Sequence, residues 1–202
     1  KDLLANPEVD PFRIQKAIDF LLENKIALDP TLNLSLVRAT TVGSLLETVE
    51  PDAGRIAYEL WEGKRFRKGR RAGLAKKHIA KYTMGAEVVG QLFRAGVPIV
   101  AGTDNAVPVF CLYLEIETYQ KLGGLTPLEA IQTATIIPAR VMGMDMETGT
   151  LEINKQADIA ILDKNPLDDI SNIRTVSAVL TNGNYYKSNP LWEAADFQPR
   201  NN

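Results

Sequence analysis

The sequence predicts an α/β unit followed by a small β unit, on three observations. Helical periodicity gives way to a short apolar segment over residues 7–32. A second apolar run, Val97–Ala101, leads directly into Gly102-Thr103-Asp104. From residue 149 onward, helical spacing is replaced by short strand-like runs separated by turn residues.

Each element has a local reason. Over 7–24, Phe12, Ile14, Ala17, Ile18, Leu21 and Leu22 fall near helical spacing, with Asp10 as N-cap and Pro11 as first helical residue. Residues 25–32 (KIALDPTL) read as a short buried strand closed by a proline turn. Helix, brief break, strand is the rhythm of an α/β fold. Residues 36–63 read as mostly helical, with a break near Pro51–Gly54, and 78–94 as a further helix through Ile79, Tyr82, Val88, Val89 and Leu92. Residues 97–101 are short, apolar and β-branched enough for a buried parallel strand. A helix is predicted over 109–122, ending at Gly123-Gly124. Thr126-Pro127-Leu128-Glu129 is a capping box with proline at N1, opening a helix to about Ile136. Pro138 opens another short helix that Gly143 closes. Strands are then predicted at 149–153, 158–162 and 176–181, with Asn182-Gly183 turning the chain into a return strand at Tyr185-Tyr186. The tail from Ser188 is expected to be an irregular strap or partly disordered. The divisions are therefore 1–148, 149–187 and 188–202.

Composition narrows the function classes. Apolar residues make up 45% and charged residues 24%, as in an ordinary globular chain. A net charge of −2 provides no field for nucleic acid or acidic lipid. The stretch 64–77 carries 8 Lys or Arg in 14 residues, and the plain reading is a solvated helix or loop rather than contact with an anionic partner. No apolar run is long enough for a membrane span. Cys111 is the only cysteine, which excludes an internal disulfide and fits a reducing compartment. The sequence does not otherwise separate a cytoplasmic from an exported protein. His78 is the only histidine, and it reads as a surface residue. A histidine-rich zinc site, which needs three or four His, Cys or carboxylate ligands, therefore cannot come from this chain alone.

Asp104 is the leading candidate for chemistry. It follows an apolar strand, and ligands of parallel α/β sheets and barrels bind beyond the C-terminal strand ends. Gly102 allows a tight exit, and Thr103 can hydrogen-bond locally. The competing reading is a helix N-cap or turn former.

The segments AGVPIVAGTD (95–104), GLTPLEAIQTATIIPARVMG (124–143) and GTLEINKQADIAILD (149–163) occur in that order. Together with Asn165-Pro166-Leu167, the Val179–Tyr185 hairpin and Pro30-Thr31-Leu32, this succession resembles the C-terminal half of the amidohydrolase superfamily. It is most similar to the branch of imidazolonepropionase and related cyclic-amide and dipeptide hydrolases. The resemblance is dense over 95–187 and thin over 1–94.

The resemblance implies the last two units of a (β/α)₈ barrel, with 25–31 as strand seven and 97–101 as strand eight, plus a small β-sandwich subdomain. It implies that Asp104 ligates a divalent metal, most simply zinc, and accepts a proton from the attacking water as a C–N bond of an amide or cyclic amide is hydrolysed. Loops after the strands would line the pocket for a small-molecule substrate, giving Thr31, Asn33, Asn105 and Val107 as position-based candidates. Thr31 and Asn33 serve equally as turn formers.

The chain departs from the family pattern in having no His-x-His, and Ile137 stands where Asn usually precedes the proline. Because a barrel needs eight strands over about 200 residues or more and only two of them are recognisable here, the reading is a C-terminal piece whose partner is the N-terminal part of the same protein. The chain opens on Lys1 rather than Met, in keeping with that reading. Alone it is expected neither to bind catalytic zinc tightly nor to turn over substrate. Its bare strand edge invites dimerisation, so a homo-oligomer is a further expectation. A non-catalytic scaffold or binding module is the alternative, distinguished by whether the gene encodes His-x-His upstream. An unrelated small α/β domain would leave the ordered motifs unexplained.

Overall fold

The computed structural model describes residues 10–39, 50–56, 72–104 and 109–199. Its organising feature is a helix–turn–strand unit that occurs twice. Helix α1 (Pro11–Glu23) starts where the Asp10 carboxylate accepts the Phe12 N–H, with Pro11 in the first turn. It ends at a left-handed Lys25 (φ 53°), and the Ile26 N–H returns to the Leu21 carbonyl at 2.9 Å. The second unit copies this ending. Helix α3 (Ala72–Arg94) closes on Gly96 (φ 94°), and the Val97 N–H returns to the Leu92 carbonyl at 3.0 Å.

The segments leaving these two turns run parallel. The Leu28 N–H donates to the Pro98 carbonyl and the Val100 N–H to the Leu28 carbonyl, each at 2.9 Å, about the bridge Leu28–Ile99. The two predicted strands are thus brought side by side, reduced to a single bridge. No third strand joins them among the described residues. Helix α2 (Asn33–Ala39) follows the first segment and packs against α3. The expected 36–63 helix is represented by α2 and a short 3-10 turn at Ala53–Arg55, and the remainder lies outside the described residues. The basic run falls largely outside them too. His78 is half-buried in the second turn of α3.

Helix α4 (Cys111–Lys121) is the centre of the molecule, with Cys111, Leu114, Glu115, Ile116, Glu117, Thr118 and Tyr119 all buried. Apolar and polar residues share that burial because α4 is covered on several sides. Ile116 and Tyr119 join Val89, Leu92, Val97 and Ile99 in the main core. Gly90 of α3 meets the turn after α4 so closely that a Cβ there would sit 1.8 Å from the Gly123 carbonyl oxygen. Helix α5 (Pro127–Gln132) carries the capping box complete, and α6 (Ile136–Val141) follows.

The β unit is a three-stranded antiparallel sheet: β1 (Ile159–Leu162), β2 (Val176–Thr181) and β3 (Asn184–Lys187). Asn182 (φ 47°) and Gly183 (φ 73°) make the tight turn between β2 and β3 that the sequence predicts. Residues 149–153, expected as a strand, form bends and loop, leaving Leu151 and Ile153 exposed. Their alternation is real, but no neighbouring strand pairs with them among the described residues. The tail also differs from expectation. Ser188–Ala194 is helix α7, and Trp192 and Phe197 pack on Phe110 at ring-centroid distances of 5.6 and 6.0 Å. Aromatic burial orders a segment whose spacing carries little periodicity.

A buried ion network joins the β unit to α4. The Arg174 Nε donates to Glu117 at 2.6 Å, and its Nη1 donates to Glu50 at 2.5 Å and to Asp52 at 3.0 Å. Glu50 is wholly enclosed, and its burial raises the carboxyl above its ordinary range, with the Arg174 hydrogen bond and charge partly offsetting that rise.

Candidate functional site

The C-terminal ends of the two parallel segments gather the candidate residues. Asp104 stands exposed at the end of the second, with a left-handed backbone at φ 46°. At the end of the first, Thr31 is left-handed too, at φ 45°. Positive φ at a β-branched residue and at the aspartate that ends the other segment are backbone strains of the kind that collect at functional sites.

Asp29 belongs to the same end, and sequence reasoning passed over it. Its Oδ1 accepts the Thr31 hydroxyl at 2.9 Å. A Cβ on Gly102 would fall 1.9 Å from that same oxygen, so the glycine is needed for the Asp29 carboxylate to lie against the second strand's exit. The signal in the sequence was a second aspartate at the end of an apolar run, in KIALDPTL, beside a glycine in the other run's exit.

Glu115 is the other residue missed. Its Oε1 accepts the Leu32 N–H at 2.8 Å, and its Oε2 accepts the Asn33 N–H at 2.7 Å and the Asn33 Nδ2 at 2.9 Å. Burial raises the Glu115 carboxyl above its usual range, and the two backbone N–H bonds pull it part of the way back. Burial, together with the adjacent Glu115 charge, pushes the Tyr119 phenol far up, and its hydroxyl donates to the Val100 carbonyl at 3.4 Å.

The structure thus brings Thr31, Asn33 and Asp104 to one end of the strand pair. Asn33 is fully buried, with its amide on Glu115 and on the Gly102 carbonyl at 3.2 Å. Asn105 and Val107 lie outside the described residues. Among the described residues, no three His, Cys, Asp or Glu side chains are grouped closely enough to hold a metal ion. The donor set of the described residues therefore falls short of the three or four ligands that zinc takes. At the opposite end of the strand pair, a cavity of about 530 Å³ opens between Lys25, Ala27, Phe93, Val97 and Arg140, away from both carboxylates. No helix among the described residues is long and apolar enough to cross a membrane.

Helix–strand units in parallel, with carboxylates where the strands end, define an α/β protein, the class whose ligands bind beyond the C-terminal strand ends. The chain belongs to the Amidohydrolase family, whose pattern matches residues 66–185. It is 39% identical over 107 residues to the ochratoxinase of Aspergillus niger, covering 52% of this chain and 21% of that protein. It is 33% identical over 98 residues to the imidazolonepropionase of Thermoplasma volcanium, covering 44% of this chain and 23% of that one. Its fold is similar to the crystal structure of a Xaa-Pro dipeptidase with bound methionine, at a TM-score of 0.59 and 22% identity over 86% of this chain and 37% of the other. The A. niger ochratoxinase structure gives 0.57 and 24%, over 86% and 35%. The matches span about a fifth of the length of these curated relatives.

Proposed function

We propose that this chain supplies the last two βα units of a (β/α)₈ barrel, and part of a small β-sandwich, to a metal-dependent hydrolase acting on amide or cyclic-amide C–N bonds. In this reading Leu28 lies in barrel strand seven and Ile99 in strand eight. One observation carries it: an exposed carboxylate, Asp104, on a strained turn at the C-terminal end of a parallel strand pair in a chain of the Amidohydrolase family.

A divalent metal, when bound, would supply Lewis-acid polarisation and a more acidic water. Asp104 would be one of its ligands, and the others would come from polypeptide outside this chain. The work of the present residues is to hold and move a proton. The Asp104 carboxylate accepts the proton of the water that attacks the carbonyl carbon, and passes it to the departing nitrogen. Gly102 keeps the turn close to the first strand's loop, and Asp29 fixes Thr31 through its hydroxyl. Thr31 is the substrate contact offered by this end of the strand pair, with Asn33 acting from beneath, and Asn105 and Val107, outside the described residues, remain candidates on their place in the sequence alone. The names of the relatives, ochratoxinase and imidazolonepropionase, favour the amide and cyclic-amide class for this chain's parent.

Asp104→Asn in the full-length protein tests this on a panel of N-acyl amino acids and cyclic amides. Loss of the proton acceptor lowers kcat by about 10²–10⁴-fold. A variant that keeps its turnover would exclude Asp104 from the chemistry.

A further inference from the structure

Glu50 and Glu117 are buried in the ion network with Arg174, whereas a third buried carboxylate lies at the strand ends and has no task in the proposed chemistry. Glu115 lies on α4, fully enclosed, beneath both strand-end loops. Its two oxygens take the N–H groups of Leu32 and Asn33, which open helix α2. The first N–H groups of a helix have no partner within it, and a carboxylate there also meets the positive end of the helix dipole. Glu115 is therefore a cap donated by another helix from 83 residues away.

The bracing does not stop at the first loop. The Asn33 Nδ2 is shared between Glu115 and the Gly102 carbonyl, two residues before Asp104. Holding the amide in this orientation leaves the Asn33 Oδ1 buried without a hydrogen-bond partner. Turning the amide over would satisfy that oxygen no better and would break both donor bonds. The orientation is set by what the nitrogen holds.

We propose that Glu115 is a positioning residue for the Asp104 turn, acting through Asn33, so that the loops ending the two parallel strands are held as one unit. The proposal rests on the reading of Asp104 as an active-site carboxylate. Plain helix capping would account for the bonds to Leu32 and Asn33 but not for the bond that continues to Gly102.

Two variants of the full-length protein test it, read by hydrogen exchange of the peptides 28–34 and 99–104 and by zinc titration. Glu115→Gln keeps the size of the side chain but turns an N–H₂ toward a backbone donor. It speeds exchange about tenfold in both peptides and weakens zinc about 10–100-fold. Asn33→Ala keeps the backbone N–H bonds to Glu115, so it spares 28–34, loosens 99–104 and weakens zinc in the same way. If Glu115→Gln fails to fold, Asn33→Ala alone decides. Exchange in 99–104 unchanged in either folded variant, or zinc affinity within about twofold of the parent, overturns the proposal. Asp104→Asn run alongside separates the two claims. If that variant retains zinc affinity, the reading of Asp104 fails, while the coupling of the loops is still settled by the exchange data.

Discussion

Asp104 and Glu115 show what one residue's neighbours reveal and conceal. The place of Asp104 at a strand end is legible in the sequence because its surroundings are local, with an apolar strand and Gly102-Thr103 before it. Glu115 is not legible. In the sequence it is a glutamate in LYLEIETY within the helix predicted over 109–122, and its partners lie 82 and 83 residues away. Glu50, Glu117 and Arg174 are hidden for the same reason, since only tertiary approach tells a paired charge from a solvated one. Their network gives a prediction at this scale. Arg174→Ala leaves Glu50 enclosed without its cation, and denaturant unfolding should show a loss of about 3–5 kcal/mol. The pH dependence has a defined sign. A carboxyl whose folded-state pKa lies above its unfolded value binds more protons when folded, so stability falls as pH rises through that interval. Burial raises Glu50 while Arg174 restrains the rise. Without Arg174 the rise is larger, and the variant should recover stability on acidification from neutral pH toward the ordinary carboxylate range. A loss independent of pH would show that Glu50 finds another partner.

At the scale of elements, what the sequence discloses follows the range of the interactions. The Thr126 capping box is contained in four consecutive residues. The structure carries both of its bonds, with the Glu129 N–H donating to the Thr126 hydroxyl at 3.3 Å and the Thr126 N–H to the Glu129 carboxylate at 2.8 Å. Thr126→Ala should cost about 1 kcal/mol, read from the denaturation midpoint at unchanged m-value. The Asn182-Gly183 turn was legible because both residues accept positive φ. Helix α7 was not, because Trp192 and Phe197 are ordered by Phe110, 82 and 87 residues earlier in the chain. Residues 149–153 fail in the opposite sense. Their strand-like alternation asks for a neighbour, and Ile153 is left 92% exposed.

For the whole molecule, the two parallel segments make a short ladder that two strands do not stabilise alone. Phe12, Phe20 and Ile26 of the first helix–strand unit are exposed as well, at 66%, 58% and 37%. These features support the proposal that further barrel polypeptide packs on this chain. The family of the chain was legible in the order of its motifs, while the contacts of Asp29 and Glu115 needed the approach of loops and a buried helix far apart in the chain. The most direct test of the account is a zinc titration by calorimetry of the 202-residue chain beside the full-length protein. The full-length protein is predicted to take up zinc tightly and in stoichiometric amount, while the 202-residue chain, whose described residues group no three ligands together, binds it only weakly. Tight stoichiometric zinc binding by the 202-residue chain alone would contradict the account.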